Sequence, residues 1–352
     1  MLADDIRRQV CRLIPAFGVE HRTAEILRAF DLLCRESLAI TAGQRSPDHS
    51  RINADGTPFQ FALDLSAAGG GPFQFLGEAG PCGAGADVRR RAAAAAWRAL
   101  VQACRLDAEA DAAAPLVGGL IPETPALPAN VCWFAVRYPV AGPPAVTIYV
   151  NGAWGSVGEQ WRRLDTLAAA AGATTRWRRV REALGPMAPL GAAITVRSGA
   201  PPAVRVYVRG YGLPVSTYRD ALTVAAPAAV AGAAFDSCAA ALLGDDVRRP
   251  TQSVVVSADL AESADAGGKV EFCTHCAFGD DAEASRRIGA WLRAEGLGEA
   301  AYRTTVDRLT GGAAVPPAGR HASLHAFAGV GIRGDLVHAS VYLNPGAVLG
   351  GP

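Results

Sequence analysis

The chain has 352 residues, half of them apolar, and a formal net charge of +1 at pH 7. That length and apolar fraction can bury a large core. Near-neutrality excludes a general binder of nucleic acid or anionic membrane, which needs a basic surplus.

Arginine carries nearly all the positive charge, and Lys269 is the only lysine. The first eight residues are acidic and amphipathic and do not read as a signal peptide. The longest apolar stretch, 221–243, is broken by Pro227, Gly232 and Asp236 and reads as a buried helix rather than a membrane span. Eight cysteines are scattered without the density of a disulfide scaffold, so a cytoplasmic location with reduced thiols is expected. The close pair Cys273 and Cys276 lies in a strand-like run, where residues i and i+3 face opposite ways. No second Cys or His pair supplies the remaining zinc ligands, so no metal site is expected.

In chain order, helical periodicity covers 4–13 and 21–40, where Ile26, Leu27, Phe30, Leu33 and Cys34 share a face. A strand pair follows at 58–65 and 72–78, then a long helix at about 87–106. The second pair spans 131–138 and 145–151 and turns at Gly142-Pro143-Pro144. Helix resumes at about 158–184, interrupted near Gly172. The third pair spans 191–197 and 203–209. One helix at about 218–243 precedes the fourth pair, 251–258 and 269–275. Helices at about 281–295 and 299–309 lead to the fifth pair, 322–332 and 335–343.

Most of these strands alternate with period two: Val146, Ile148 and Val150 against Thr147, Tyr149 and Asn151, or Val204, Val206 and Val208 against Arg205, Tyr207 and Arg209. One face is therefore buried and the other wet. Ten strands in hairpins can satisfy their edges by closing one antiparallel barrel, with the intervening helices packed outside on the apolar faces. The expected fold is thus α+β, a ten-stranded antiparallel β-barrel of five αββα units. It spans 1–352 as a single domain, with the N-terminal helices at about 1–42. A two-layer sandwich or two separate sheets is the competing arrangement.

In that order stand Gly56-Thr57-Pro58-Phe59-Gln60, Phe73 to Gly80, Val146 to Asn151, Ala203 to Tyr207 and Ala339 to Pro345. This series resembles the barrel of soluble aromatic prenyltransferases, the ABBA or PT-barrel family, and within it the bacterial dimethylallyltryptophan synthase branch. The resemblance implies a metal-independent transferase that needs no cofactor. It would move a prenyl group from an allylic diphosphate such as dimethylallyl diphosphate to an aromatic acceptor of secondary metabolism, an indole, a tyrosine-like ring or a peptide. It carries over Tyr149, Tyr207 and Tyr342 as the shield of the allyl cation, and Arg205 as a diphosphate ligand. Lys269, Arg209 and Arg137 are further candidates of that class. Gln60 and Trp133 would meet the acceptor, with Gln60 accepting an indole N–H. Trp154 could also stack on an aromatic ring, and His325 and His338 could face the lumen as acid or base.

The chain departs from the family pattern where a glutamate becomes Gln60, an arginine becomes Gln74, and basic residues become Thr147 and Ala203. These losses open a second reading, a barrel that binds an aromatic metabolite or a partner without prenyl transfer, or that cyclises a prenylated compound. Other motifs are missing. There is no paired DDxxD for the magnesium of all-helical prenyl synthases, no GxGxxG or P-loop, no GxSxG elbow, and no nucleophile beside His321, His325 or His338.

Overall fold

The computed structural model describes residues 1–50, 52–121, 132–244, 253–261, 266–274, 280–313 and 323–349. The strands are β1 (Phe59–Ser66), β2 (Gly69–Gly70), β3 (Phe73–Gly77), β4 (Cys132–Tyr138), β5 (Ala145–Asn151) and β6 (Ala188–Arg197). They continue with β7 (Ala200–Gly210), β8 (Val254–Asp259), β9 (Gly268–Cys273), β10 (His325–Arg333) and β11 (Leu336–Leu343). Apart from β2, a two-residue spur on β1, each strand pairs with the next in an antiparallel ladder. The last strand then returns to the first: Phe61 to Ser66 of β1 lie against Leu343 to His338 of β11. The sheet is a closed ten-stranded barrel, as the pairing of hairpins predicts, with no free edge to protect.

Around it run α1 (Leu2–Leu13), α2 (Thr23–Cys34), α3 (Ala86–Ala103), α4 (Asp107–Gly118), α5 (Val157–Ala170) and α6 (Thr174–Leu184). Then come α7 (Val215–Ala225), α8 (Ala228–Leu243), α9 (Asp281–Glu295) and α10 (Glu299–Thr310). Two expected helices differ from those observed: one is in fact a pair, and the other stops short. The 218–243 run breaks at Ala226, whose extended backbone precedes Pro227; a proline disfavours helix in the residue before it. The 87–106 run breaks at Arg105, which takes the left-handed conformation (φ 57°) usually left to glycine. The amide of Leu106 then bonds back to Val101 O at 2.9 Å, and α4, which the sequence reading lacked, begins. Among the described residues no helix is long and apolar enough to cross a membrane.

The apolar strand faces point outward and pack under the helices. Phe59, Phe61, Phe73, Phe75 and Phe134 are fully buried there with Phe30 of α2. Phe59 alone contacts three rings, Phe30, Phe61 and Phe75, at centroid distances of 5.5, 5.0 and 5.6 Å. Helix and sheet approach closely at Gly210, where a Cβ would come within 2.5 Å of the Tyr218 ring. A second, much smaller apolar group, Ala62, Leu76 and Ala135 with Trp133, Tyr149 and Tyr342, packs separately on the inner face. The core is therefore a shell, and the barrel interior is left to the polar set.

Phe59→Ala should lower the unfolding free energy by about 3–5 kcal/mol, the usual cost of truncating a buried Phe, read as a fall in the urea midpoint.

Candidate active site in the barrel lumen

Strand register decides which side chains share the lumen. Trp133 stands opposite Tyr149, and Arg205 opposite Asp259. Lys269 lies between Ser257 and Gly331, which in turn opposes His338, and Tyr342 is opposite Ala62. The barrel thus brings Tyr149, Tyr207, Tyr342, Trp133, Arg137, Arg205 and Lys269 to one inward face. Arg209 shares that face but lies beyond Tyr207, about 13 Å of strand from Arg205.

The aromatic groups make one wall. Trp133 stacks on Tyr149 (5.8 Å, 9°), and Tyr149 meets Tyr207 at 5.8 Å. Tyr342 meets Phe327 edge to face at 6.5 Å. Burial pushes the Tyr149 phenol up to about 12 and lifts Tyr207 and Tyr342 well above the usual range. All three are therefore neutral hydroxyls at pH 7, with their π-faces available to a cation.

The cations each have a carboxylate that sequence reasoning missed. Arg205 grips Asp259 with Nε and Nη2 at 2.7 and 3.0 Å. Lys269 Nζ lies 2.6 Å from Glu271 Oε1, donates to the Tyr342 hydroxyl at 2.7 Å, and stands 5.2 Å from that ring's centroid. Arg137 Nη2 lies 3.2 Å from Asp64 Oδ2. Burial works against the charge on Asp259, yet Arg205 holds it below the usual carboxylate range. Asp64 is likewise held down, chiefly by His338 and Arg137. Arg333, exposed at the rim where β10 ends, borders the same field; partial desolvation and the repulsion of Arg205 depress it. The inner-face positions of Asp64, Asp259 and Glu271 were readable from period two, because each lies two residues from another inward side chain. Arg333 lies at the hairpin turn, where that period carries no information.

His338 does face the lumen. Its imidazole occupies the space over Gly331, where a Cβ would come within 2.2 Å of Nε2, and Nε2 is 3.9 Å from Asp64 Oδ1. Burial, with the nearby cations against Asp64, lowers it to about 4.

His325 does not face the lumen. A register shift between His325 and Phe327 turns the histidine out, and it sits fully buried between Asp281 Oδ1 (3.1 Å) and the Tyr302 hydroxyl (2.8 Å). Phe327, in unbroken register with Gly329 and Gly331, faces inward. Trp154 is excluded too, since the Arg163 guanidinium lies 3.3 Å over its ring beside α5. His275, Cys276 and His321 lie outside the described residues. Among the described residues, no three His, Cys, Asp or Glu side chains are grouped to hold a metal ion.

Gln60 is buried at the end of β1 and pinned by the preceding loop. Asn53 Nδ2 donates to Thr57 O and Phe59 O, so Asn53 Oδ1 must accept, and it takes Gln60 Nε2 at 2.7 Å. Nε2 also donates to Ile52 O at 2.9 Å. Both amide N–H groups are therefore committed, and Gln60 Oε1 is the end that can accept.

No protein-family model matches the sequence, and no curated protein matches it either. Solved structures do match along the whole chain. A 6-dimethylallyltryptophan synthase from Micromonospora olivasterospora, in complex with DMASPP and Trp, superimposes with a TM-score of 0.85 at 18% identity, covering 100% of this chain and 99% of that one. A 5-dimethylallyltryptophan synthase from Streptomyces coelicolor, also with DMASPP and Trp, gives 0.78 at 18%, over 100% and 97%. The prenyltransferase PriB, with L-tryptophan and dimethylallyl thiolodiphosphate, gives 0.77 at 20%, over 100% and 98%. The chain has the prenyltransferase-barrel fold. At such identity the likeness establishes architecture, and the roles of side chains rest on their own geometry.

Because His338 is depressed when folded and ordinary when unfolded, the unfolded chain takes up its proton first as pH falls from about 6.5 to about 4. Its contribution to stability is present above that window and lost through it. Thermal midpoints measured across the window should fall more steeply for the wild type than for His338→Gln.

Proposed function

We propose that this barrel is a metal-independent aromatic prenyltransferase, moving a prenyl group from an allylic diphosphate to an indole, tyrosine-like or peptide acceptor. The observation that carries this reading is the convergence, in one closed lumen, of the cations Arg205, Lys269 and Arg137, with Arg333 at the rim, and the neutral rings of Tyr149, Tyr207 and Tyr342. Ionising an allylic diphosphate needs positive charge on the leaving group where water screens it poorly. It also needs π-faces that hold the allyl cation away from water, at roughly 1–2 kcal/mol each. The solved neighbours with DMASPP and Trp support the donor and acceptor classes.

Arg205, near the centre of the group, would grip the diphosphate through its planar fork, with Lys269, Arg137 and Arg333 beside it. Arg209, beyond Tyr207, would act at the acceptor end rather than on the phosphates. Gln60, its Oε1 left to accept, would take the acceptor's N–H, and Trp133, stacked on Tyr149, would extend the aromatic wall under the ring. Side-chain cations would supply the charge that a metal supplies elsewhere, so no metal would be obligatory.

Purified protein with dimethylallyl or geranyl diphosphate and a panel of indoles should release diphosphate and form prenylated product in EDTA. Arg205→Ala should abolish turnover. Product formation that required added magnesium, or its absence with every donor, would count against the reading.

One observation favours a second reading. The lumen cations Arg137, Arg205 and Lys269 are each neutralised by Asp64, Asp259 and Glu271, so a diphosphate must compete with three carboxylates. A barrel so neutralised could instead hold an uncharged aromatic metabolite. Calorimetry separates the two: micromolar binding of dimethylallyl thiolodiphosphate is expected for the enzyme, and binding of neutral indoles alone for the carrier.

A further inference from the structure

Of the three lumen carboxylates among the described residues, two are tied to guanidinium groups at the charged side of the cavity. Asp259 is held bidentate by Arg205 and also accepts the Gly267 amide at 3.0 Å; Asp64 lies between Arg137 and His338. Glu271 is placed differently. Its side chain is 7% exposed, and its Oε1 lies 2.6 Å from the ammonium of Lys269, which also donates to the Tyr342 hydroxyl. Along β9 it stands two residues beyond Lys269, opposite Val255 and Gly329 and on the side away from Asp259, and its charge adds to burial in raising the Tyr149 and Tyr207 phenols. Ser257, opposite both Tyr207 and Lys269 in the sheet and 1% exposed, has a hydroxyl without a hydrogen-bond partner among the described residues. A buried hydroxyl without a partner is destabilising, and a ligand's polar group at this place would satisfy it. By contrast Gln60, the polar group at the far end of β1, is an amide and cannot take a proton.

We propose that Glu271 is a catalytic residue. It offsets the charge of the allylic cation held among Tyr149, Tyr207 and Tyr342, and it accepts the proton that the acceptor ring loses. This rests on the prenyl-transfer reading and adds to it the identity of the base. The donor C–O bond breaks, its electron pair leaving with the diphosphate. A π pair of the ring forms the new C–C bond to the allylic carbon. The C–H bond at the attacked ring carbon then breaks, its pair restores aromaticity, and the proton passes to a carboxylate oxygen of Glu271. Lys269, itself bonded to the Tyr342 hydroxyl, holds that carboxylate in place. The glutamic acid loses its proton to water once the product leaves.

The test compares wild type with Glu271→Gln and Glu271→Asp, using dimethylallyl diphosphate and whichever indole the wild type accepts, unlabelled and deuterated on the ring. Glu271→Gln should lower kcat about 100-fold, the range of a lost general base, while affinity for dimethylallyl thiolodiphosphate does not fall, since the lost carboxylate competes with the phosphates for Lys269. A ring-deuterium isotope effect, absent in the wild type, should appear in Glu271→Gln as proton loss becomes limiting. Glu271→Asp should retain intermediate activity. If the wild type turns over and Glu271→Gln keeps kcat within about twofold with no isotope effect, Glu271 is not the base. If thiolodiphosphate affinity or thermal stability falls in step with activity in both variants, its role is structural and the proposal fails. A wild type that neither binds donor nor turns over overturns the prenyl-transfer reading itself, and the role of Glu271 with it.

Discussion

The pairing of β1 with β11 is the constraint on which the interior depends. Six consecutive residue pairs join the ends of the sheet, and once they do, every strand has an inside and an outside. An open sheet with the same alternation would turn its polar face to solvent, where Arg205 and Asp259 would be an ordinary surface pair worth about 0–1 kcal/mol. Closure turns that face inward. The same side chains then share a confined space in which charges act on one another more strongly and cannot be left alone.

The arrangement inside answers that demand. Three cations, Arg137, Arg205 and Lys269, with Arg333 exposed at the rim, face three carboxylates, Asp64, Asp259 and Glu271, and His338 is kept neutral. Pairing offsets the cost of burying each charge without removing the positive surplus. The tyrosines follow the same logic from the other side. Buried as neutral phenols, they keep electron-rich faces in a place where an ionised tyrosine would be costly. Gly331 contributes by what it lacks, since any side chain there would displace the imidazole of His338. The outer shell of phenylalanines, packed under α2 and its neighbours, holds the barrel shape without occupying its interior.

The period-two strands made much of this legible. The expected bounds of β5, 145–151, and of α9, 281–295, coincide with those observed, because alternation in one and a 3.6-residue period in the other leave little choice. The inward placement of Tyr149, Tyr207, Tyr342 and Arg205 followed from the same alternation. What escaped were features with no local signature. Arg105 ends α3 in a conformation for which glycine is the usual marker. The register shift at His325 reverses the face of that one histidine, while Phe327 keeps the inward face that period two assigns it. The break before Pro227 was visible and was read as tolerated.

The sequence by itself determined the order of elements and the side of each strand on which chemistry would sit, since both depend on neighbours a few residues away. Only the tertiary structure decided the partners. Arg205 and Asp259 are 54 residues apart in the chain, and Arg137 and Asp64 are 73 apart; Tyr342 reaches Lys269 across two strand pairings. Which charge neutralises which depends on the shear and closure of the whole sheet, a sum over ten strands that no local pattern records.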